Sequence, residues 1–90
     1  MLPIRPTSQF KKDFKRAGKQ GRDLEHLRRI LEQLSEVKPL PPSYHDHKLR
    51  GIWRDFRECH IEPDWLLVYT ITDFELRPAR LGTHSELFSG

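Results

Sequence analysis

Val37-Lys-Pro-Leu-Pro-Pro-Ser43 is the stretch on which the fold turns. Its three prolines, Pro39, Pro41 and Pro42, withhold three backbone donors and fix three φ angles, so the stretch reads as a connector. The residues on its two sides follow different periods. Before it, Phe10, Phe14 and Ala17 recur at i, i+4 and i+7, and Leu24, Leu27, Ile30, Leu31 and Leu34 form a second helical stripe. Thr7 and Ser8 are candidate caps for the first helix and Asp23 for the second, with Gly18 and Gly21 as punctuation between them. After it, Trp53 to Ile61, Trp65 to Thr72 and Phe74 to Leu81 read as strands, separated by Glu62-Pro63-Asp64 and by a tight turn at Thr72-Asp73. Such short strands predict an antiparallel meander. Residues 2–5 alternate weakly and supply a short first strand, and the last six residues read as a tail.

The predicted order is therefore β-α-α-β-β-β. This is an α+β domain in which an antiparallel helical hairpin packs on one face of an antiparallel sheet and leaves the other face open. Ninety residues make one such domain, spanning 1–90, with a single modest core. Leu, Ile, Val and Phe account for 24 of the 90, above the roughly 20% below which chains stay disordered, so the chain is expected to fold. The longest apolar run, Trp65 to Tyr69, is far short of the roughly 20 residues of a membrane helix, and no membrane partner is expected. The N-terminus lacks the apolar stretch of a secretory signal, and the lone Cys59 excludes an internal disulfide. Both point to the cytoplasm.

Charge is unevenly divided. Residues 1–29 carry nine Lys and Arg against three acidic residues, a local +6, and residues 30–90 carry seven against ten, a local −3. A basic cluster of this kind suits a polyanion or an acidic protein, because Lys and Arg release counterions from phosphates. A solvated helix face has the same composition.

Four of the five histidines lie beyond the proline connector. His26 reads as a partly exposed helical residue without function. His45 and His47 flank Asp46, and alternation would point both imidazoles the same way, as a metal site would need. His60 precedes Glu62-Pro63-Asp64-Trp65, and His84 follows Arg80-Leu-Gly-Thr. Strand ends meeting at one edge would gather His60, Asp64, Arg80 and His84. Such a set suits phosphodiester cleavage: one neutral imidazole takes a proton, a protonated one donates to the leaving oxygen, and a guanidinium steadies the phosphorane. RNA brings its own nucleophile in the 2′-hydroxyl, so no metal, other cofactor or catalytic Ser or Cys is needed. Trp65 and Phe88 have two readings, stacking on bases and ordinary packing.

Tyr44-His-Asp-His-Lys-Leu-Arg-Gly51, Trp53-Arg-Asp-Phe-Arg-Glu-Cys-His60, Glu62-Pro-Asp-Trp-Leu-Leu-Val-Tyr69 and Arg80-Leu-Gly-Thr-His84 together resemble the YafQ branch of the RelE/ParE toxin superfamily. The likeness covers essentially the whole chain. It implies a RelE-like fold and the toxin of a bacterial type II toxin–antitoxin pair, an endoribonuclease (mRNA interferase) that cuts messenger RNA in the ribosomal A site. It implies His47, His60, Asp64 and His84 as catalytic positions, and Arg80, Trp65 and Phe88 as substrate-contacting ones. Among these, His84 would be base or acid, with His60 and Asp64 as its proton-transfer partners. Arg80 would clamp the phosphate and His47 would act as the acid or from behind the reacting groups. The resemblance makes Lys11, Lys12, Lys15, Arg16 and Lys19 candidate ribosomal RNA contacts. It also implies a cognate antitoxin that neutralises the toxin and through which alone operator DNA is reached. His45 is an addition to the pattern without an assigned role, and Pro78 predicts an edge or bulge in the last strand that re-aims Arg80. The rival readings are a ParE-like toxin acting on DNA gyrase, a metal-binding module on His45, His47 and His60, and a non-catalytic RNA-binding domain.

Overall fold

The computed structural model describes residues 1–88. Two helices come first, α1 (Ser8–Lys19) and α2 (Leu24–Ser35), then the strands β1 (His47–Lys48), β2 (Arg57–Glu62), β3 (Trp65–Ile71) and β4 (Leu76–Gly82), and last the short helix α3 (His84–Phe88). The four strands form one antiparallel sheet in the order β1-β2-β3-β4. The α+β reading holds, with differences at its edges. The fourth strand is His47–Lys48, reached through a 3₁₀ turn at Pro42–Tyr44, and Trp53 lies in a second 3₁₀ turn rather than in β2. Residues 85–88 of the expected six-residue tail are helical, and its last two lie outside the described residues. No helix among the described residues is long and apolar enough to cross a membrane.

The N-terminal segment is half a strand, for a reason visible in β4. The Leu76 amide donates to Pro3 O, Arg5 N donates to Leu76 O, and Thr7 N donates to Pro78 O, so the segment runs parallel to β4. Pro78 has no N–H to continue the ladder, and a single bridge, Ile4 with Leu76, is all that forms. The expected irregularity is also present. Val68 pairs with Arg80 and Tyr69 with Pro78, which leaves Ala79 as the extra residue of a bulge.

Both helices are capped by the residues expected to cap them. Thr7 Oγ1 accepts from Phe10 N at 3.0 Å and also donates to Ala79 O, fixing the start of α1 on β4. Asp23 accepts from His26 N at 3.0 Å. Gly18 does not end α1; the helix runs through it and closes at Gly21, whose φ of 75° lets Arg22 N reach Ala17 O. The inward face of α1 differs from the predicted stripe. Phe10, Asp13 and Ala17 are buried, while Phe14 is 42% exposed.

The sheet is covered on both faces, contrary to the open face expected. Trp65-Leu66-Leu67-Val68-Tyr69 is buried at every position, which for side chains alternating across a sheet requires apolar cover on both sides. Trp65, Leu67 and Tyr69 join Cys59, Ile61, Leu81 and the helix residues Phe10, Ala17, Leu27, Ile30 and Leu34. Leu66 and Val68 face the other way, into a smaller cluster with Ala79, Leu87, Leu49, Trp53 and Phe56. This second cluster is the floor beside which the histidines sit.

Candidate active site

The register places the site residues before any side chain is considered. His47 lies opposite Glu58, Glu58 opposite Val68, and Val68 opposite Arg80, so these four occupy one row and one face. Two residues along β2, His60 lies on that same face, opposite Leu66 and, one strand further, Gly82. Asp64 is in the turn just before β3 and His84 is two residues past Gly82. Because β3 and β4 are antiparallel, the start of one and the end of the other share an edge, and Asp64 meets His84 there.

The meeting is specific. Asp64 Oδ1 accepts from the His84 backbone N–H at 3.0 Å and lies 3.0 Å from His84 Nδ1. A carboxylate facing Nδ1 fixes the tautomer with the proton there, so Nε2 carries the lone pair. The backbone N–H of His84, and then its ring, hold the Asp64 carboxyl below the usual carboxylate range. From His84 the rings continue to His60, at a centroid separation of 5.7 Å, and from His60 to His47 at 6.3 Å and His45 at 5.5 Å. The four predicted catalytic residues, His47, His60, Asp64 and His84, therefore lie in one connected row, and His45 adjoins it.

Glu58, which sequence reasoning passed over, lies beneath that row. It is only 4% exposed, and its Oε1 stands 3.4 Å from His60 Nε2 and 3.6 Å from His47 Nε2. The other nitrogen of His47, Nδ1, donates to His45 O at 2.6 Å, so acceptors face both nitrogens of this ring. Glu58-Cys-His60 on a strand puts the carboxylate and the imidazole on one face by alternation. That spacing was the available signal. Glu58, His60 and His84 also bring three ligand atoms within 4.8 Å of one another. This trio, rather than His45, His47 and His60, has metal-ligating geometry.

Asp13 is the second residue missed, and it reaches Arg80. Asp13 is 1% exposed; it accepts from Arg80 Nε at 2.8 Å, Leu81 N at 3.0 Å and Gln9 Nε2 at 3.2 Å. Burial raises its pKa, but these bonds outweigh burial and the net shift is downward. They aim Arg80 by its Nε.

Three expected contacts are corrected or refined. Trp65 is 1% exposed, packed into the helix-side core with the Arg22 guanidinium 5.6 Å from its ring centroid; it has no face to offer a base. Phe88 is 39% exposed and edge-on to Trp53 at 6.1 Å, with His84 6.4 Å away, so of the two expected base contacts it is the one that solvent reaches. Among the described residues Lys11, Lys12, Lys15 and Lys19 are exposed and without an ion-pair partner, and Arg16 is not like them. It donates to Leu81 O at 2.9 Å and pairs with Glu86 and Asp13, tying α1 to β4 and α3.

With this geometry in place, the comparisons with known proteins are decisive. Residues 2–89 match the family model described as the bacterial toxin of type II toxin–antitoxin systems, YafQ. The chain belongs to the YafQ toxin family. It is 43% identical over 86 residues to the mRNA interferase toxin YafQ of Escherichia coli K12, covering 94% of each chain. Its fold superimposes on the E. coli toxin in the solved DinJ–YafQ toxin–antitoxin complex with a TM-score of 0.90, at 42% identity and 98% coverage of both chains. A metal-bound toxin from Helicobacter pylori gives a TM-score of 0.91 at 48% identity, covering 98% of this chain and all of that one.

Proposed function

We propose that the protein is an mRNA interferase, a ribosome-dependent endoribonuclease that cuts messenger RNA through the RNA's own 2′-hydroxyl and is neutralised by a cognate antitoxin. The observation that carries this reading is the Asp64–His84 pair continued through His60 to His47, in a family whose Escherichia coli members are named mRNA interferase toxins. Those names favour it over the gyrase-directed and non-catalytic alternatives.

His84 takes the 2′-hydroxyl proton on Nε2, oriented through Nδ1 by Asp64. The freed O2′ attacks phosphorus and the P–O5′ bond breaks, giving a 2′,3′-cyclic phosphate and a 5′-hydroxyl. His47, with an acceptor facing each of its nitrogens, gives the proton to the departing O5′. His60 stands between the two rings and, with Glu58, carries the proton back between turnovers. The Nη nitrogens of Arg80, whose Nε is spent on Asp13, meet the non-bridging phosphate oxygens, and Phe88 stacks on a neighbouring base. The four exposed lysines of α1 contact ribosomal RNA. No step requires a metal.

The test is His84→Ala expressed from a tight promoter. Loss of discrete cuts in translated messages, together with loss of growth inhibition but retained ribosome binding, supports the reading. Unchanged growth inhibition without RNA cuts sinks it.

One observation favours a second reading. Glu58, His60 and His84 can together hold a transition metal, as N and O donors suit copper or zinc, and the H. pylori relative is metal-bound. A metal there would take the same His84 nitrogen that acts as base. Cutting that persists in a chelator and falls on adding zinc supports the metal-free mechanism with an inhibitory site. Cutting abolished by chelator and restored by metal overturns it.

A further inference from the structure

At the other end of the ring row from Phe88 lies an open groove of about 980 Å³. His45, His47 and His60 form one lip of it, and the remaining wall includes Tyr44, Asp46 and Glu62, none of which the proposed chemistry uses. The wall is fixed in place. Tyr44 Oη and His26 Nε2 are 2.8 Å apart, which ties the loop before β1 to α2. His45 adopts a positive φ of 48° at the end of the Pro42–Tyr44 turn, and its ring stands 5.5 Å from that of His60.

The charge of this wall says what it takes. Asp46 spends Oδ1 on the Tyr69 hydroxyl at 2.8 Å and on Arg57 Nε at 3.2 Å, and Glu62 spends Oε1 on Arg22 at 3.4 Å. The second oxygen of each carboxylate has no hydrogen-bond partner among the described residues. Each carboxylate is paired with an arginine yet keeps one oxygen that can accept from an N–H group, so a strand crossing the histidines with its backbone toward Arg80 would present a base toward this groove. Adenine, cytosine and guanine each carry an exocyclic amino donor, and uracil carries none.

We propose that this groove is a base-selecting subsite for the nucleotide next to the scissile bond, and that Asp46 and Glu62 select a base with an exocyclic amino group over uracil. The proposal rests on the ribonuclease reading above and adds to it the source of discrimination.

The test uses the full chain on ribosomes programmed with messages that differ only in the base on the 5′ or the 3′ side of the cut. At one of these two positions, uridine is expected to lower kcat/KM about tenfold, one charge-assisted hydrogen bond's worth. Glu62→Gln and Asp46→Asn keep an oxygen for Arg22, Tyr69 and Arg57 and supply an amide donor that uracil O4 can accept. At least one of them is expected to narrow the gap severalfold by raising the uridine message. Equal cutting of all four bases, or a gap unchanged in both variants, overturns the subsite and leaves the nuclease intact. A wild-type chain that cuts no message overturns both.

Discussion

The two faces of the sheet are made by the same strands and behave as different materials. On the helix side, Cys59, Ile61, Leu67, Tyr69 and Leu81 pack under α1 and α2, and a buried acid there, Asp13, has three hydrogen-bond donors. On the opposite side a smaller apolar cluster supports imidazoles 5.5–6.3 Å apart, a buried glutamate that they share and an exposed phenylalanine. Strand alternation is what permits both. One residue along a strand exchanges a side chain selected for volume for one selected for proton chemistry, without moving the backbone. Substitutions on the helix side should therefore move stability and leave the chemistry per folded molecule alone, and substitutions on the site side should do the reverse.

The sharpest way to break that division is to truncate one aromatic from each side. Trp65→Ala empties a fully buried site and is expected to cost about 3–5 kcal/mol. A domain of this size has only about 5–13 kcal/mol in total. Phe88→Ala, 39% exposed at the rim, is expected to lower the unfolding free energy from urea melts by under about 1 kcal/mol while slowing cutting roughly tenfold or more. Equal destabilisation by the two would abolish the distinction.

The next effect is smaller and depends on pH. Asp13 has a folded-state pKa below its unfolded value, so its stabilisation is fully present above the unfolded value near 3.8 and is lost as pH falls through the folded one. Wild-type stability should therefore drop as pH is lowered below about 4, and Asp13→Asn should flatten that part of the profile. At neutral pH the variant should lose about 2–3 kcal/mol, since it weakens the bonds to Arg80 and Leu81. Urea midpoints from pH 2.5 to 7 measure both. Because Asp13 also aims Arg80, this is the helix-side residue whose loss should reach the chemistry, as a raised KM for RNA.

What was legible in the sequence was local. The proline connector, both caps and the strand runs each depend on neighbours a few residues apart, and the structure places them close to where they were read. The row of His47, His60, Asp64 and His84 was reached through the quoted motifs, since spacing alone left the convergence of strand ends open. Asp13 was not legible, because its partners Arg80 and Leu81 are 67 and 68 residues away and an acid on a basic helix looks solvated. Glu58 was legible in part: alternation in Glu58-Cys-His60 sets it beside His60, but nothing local shows that it is buried and faces His47 on the neighbouring strand as well. Of the two readings of Trp65 packing holds, and the substrate contact that the resemblance implies does not, because a motif names a position and says nothing of which way the ring points. The second apolar cluster was missed although five consecutive buried residues in β3 required it.

The smallest effect tests the helix layer at a point far from both cores. α1 and α2 end in the same arrangement: Arg22 N reaches Ala17 O across Gly21, and Lys38 N reaches Gln33 O across Val37. Gly21 has a φ of 75° and Val37 of 58°, so a β-branched residue occupies the left-handed conformation that glycine adopts freely. That conformation costs an L-residue roughly 1–2 kcal/mol, and Val37 is 68% exposed, so little burial offsets it. Glycine would relieve the strain and lose about half of the gain to its more flexible unfolded chain. Val37→Gly should thus stabilise by about 0.5–1 kcal/mol in urea melts, with cutting unchanged. A loss of stability would mean that Val37 contributes packing which its exposure does not reveal. Altered cutting would mean that the helix layer and the site are coupled through the connector that follows it.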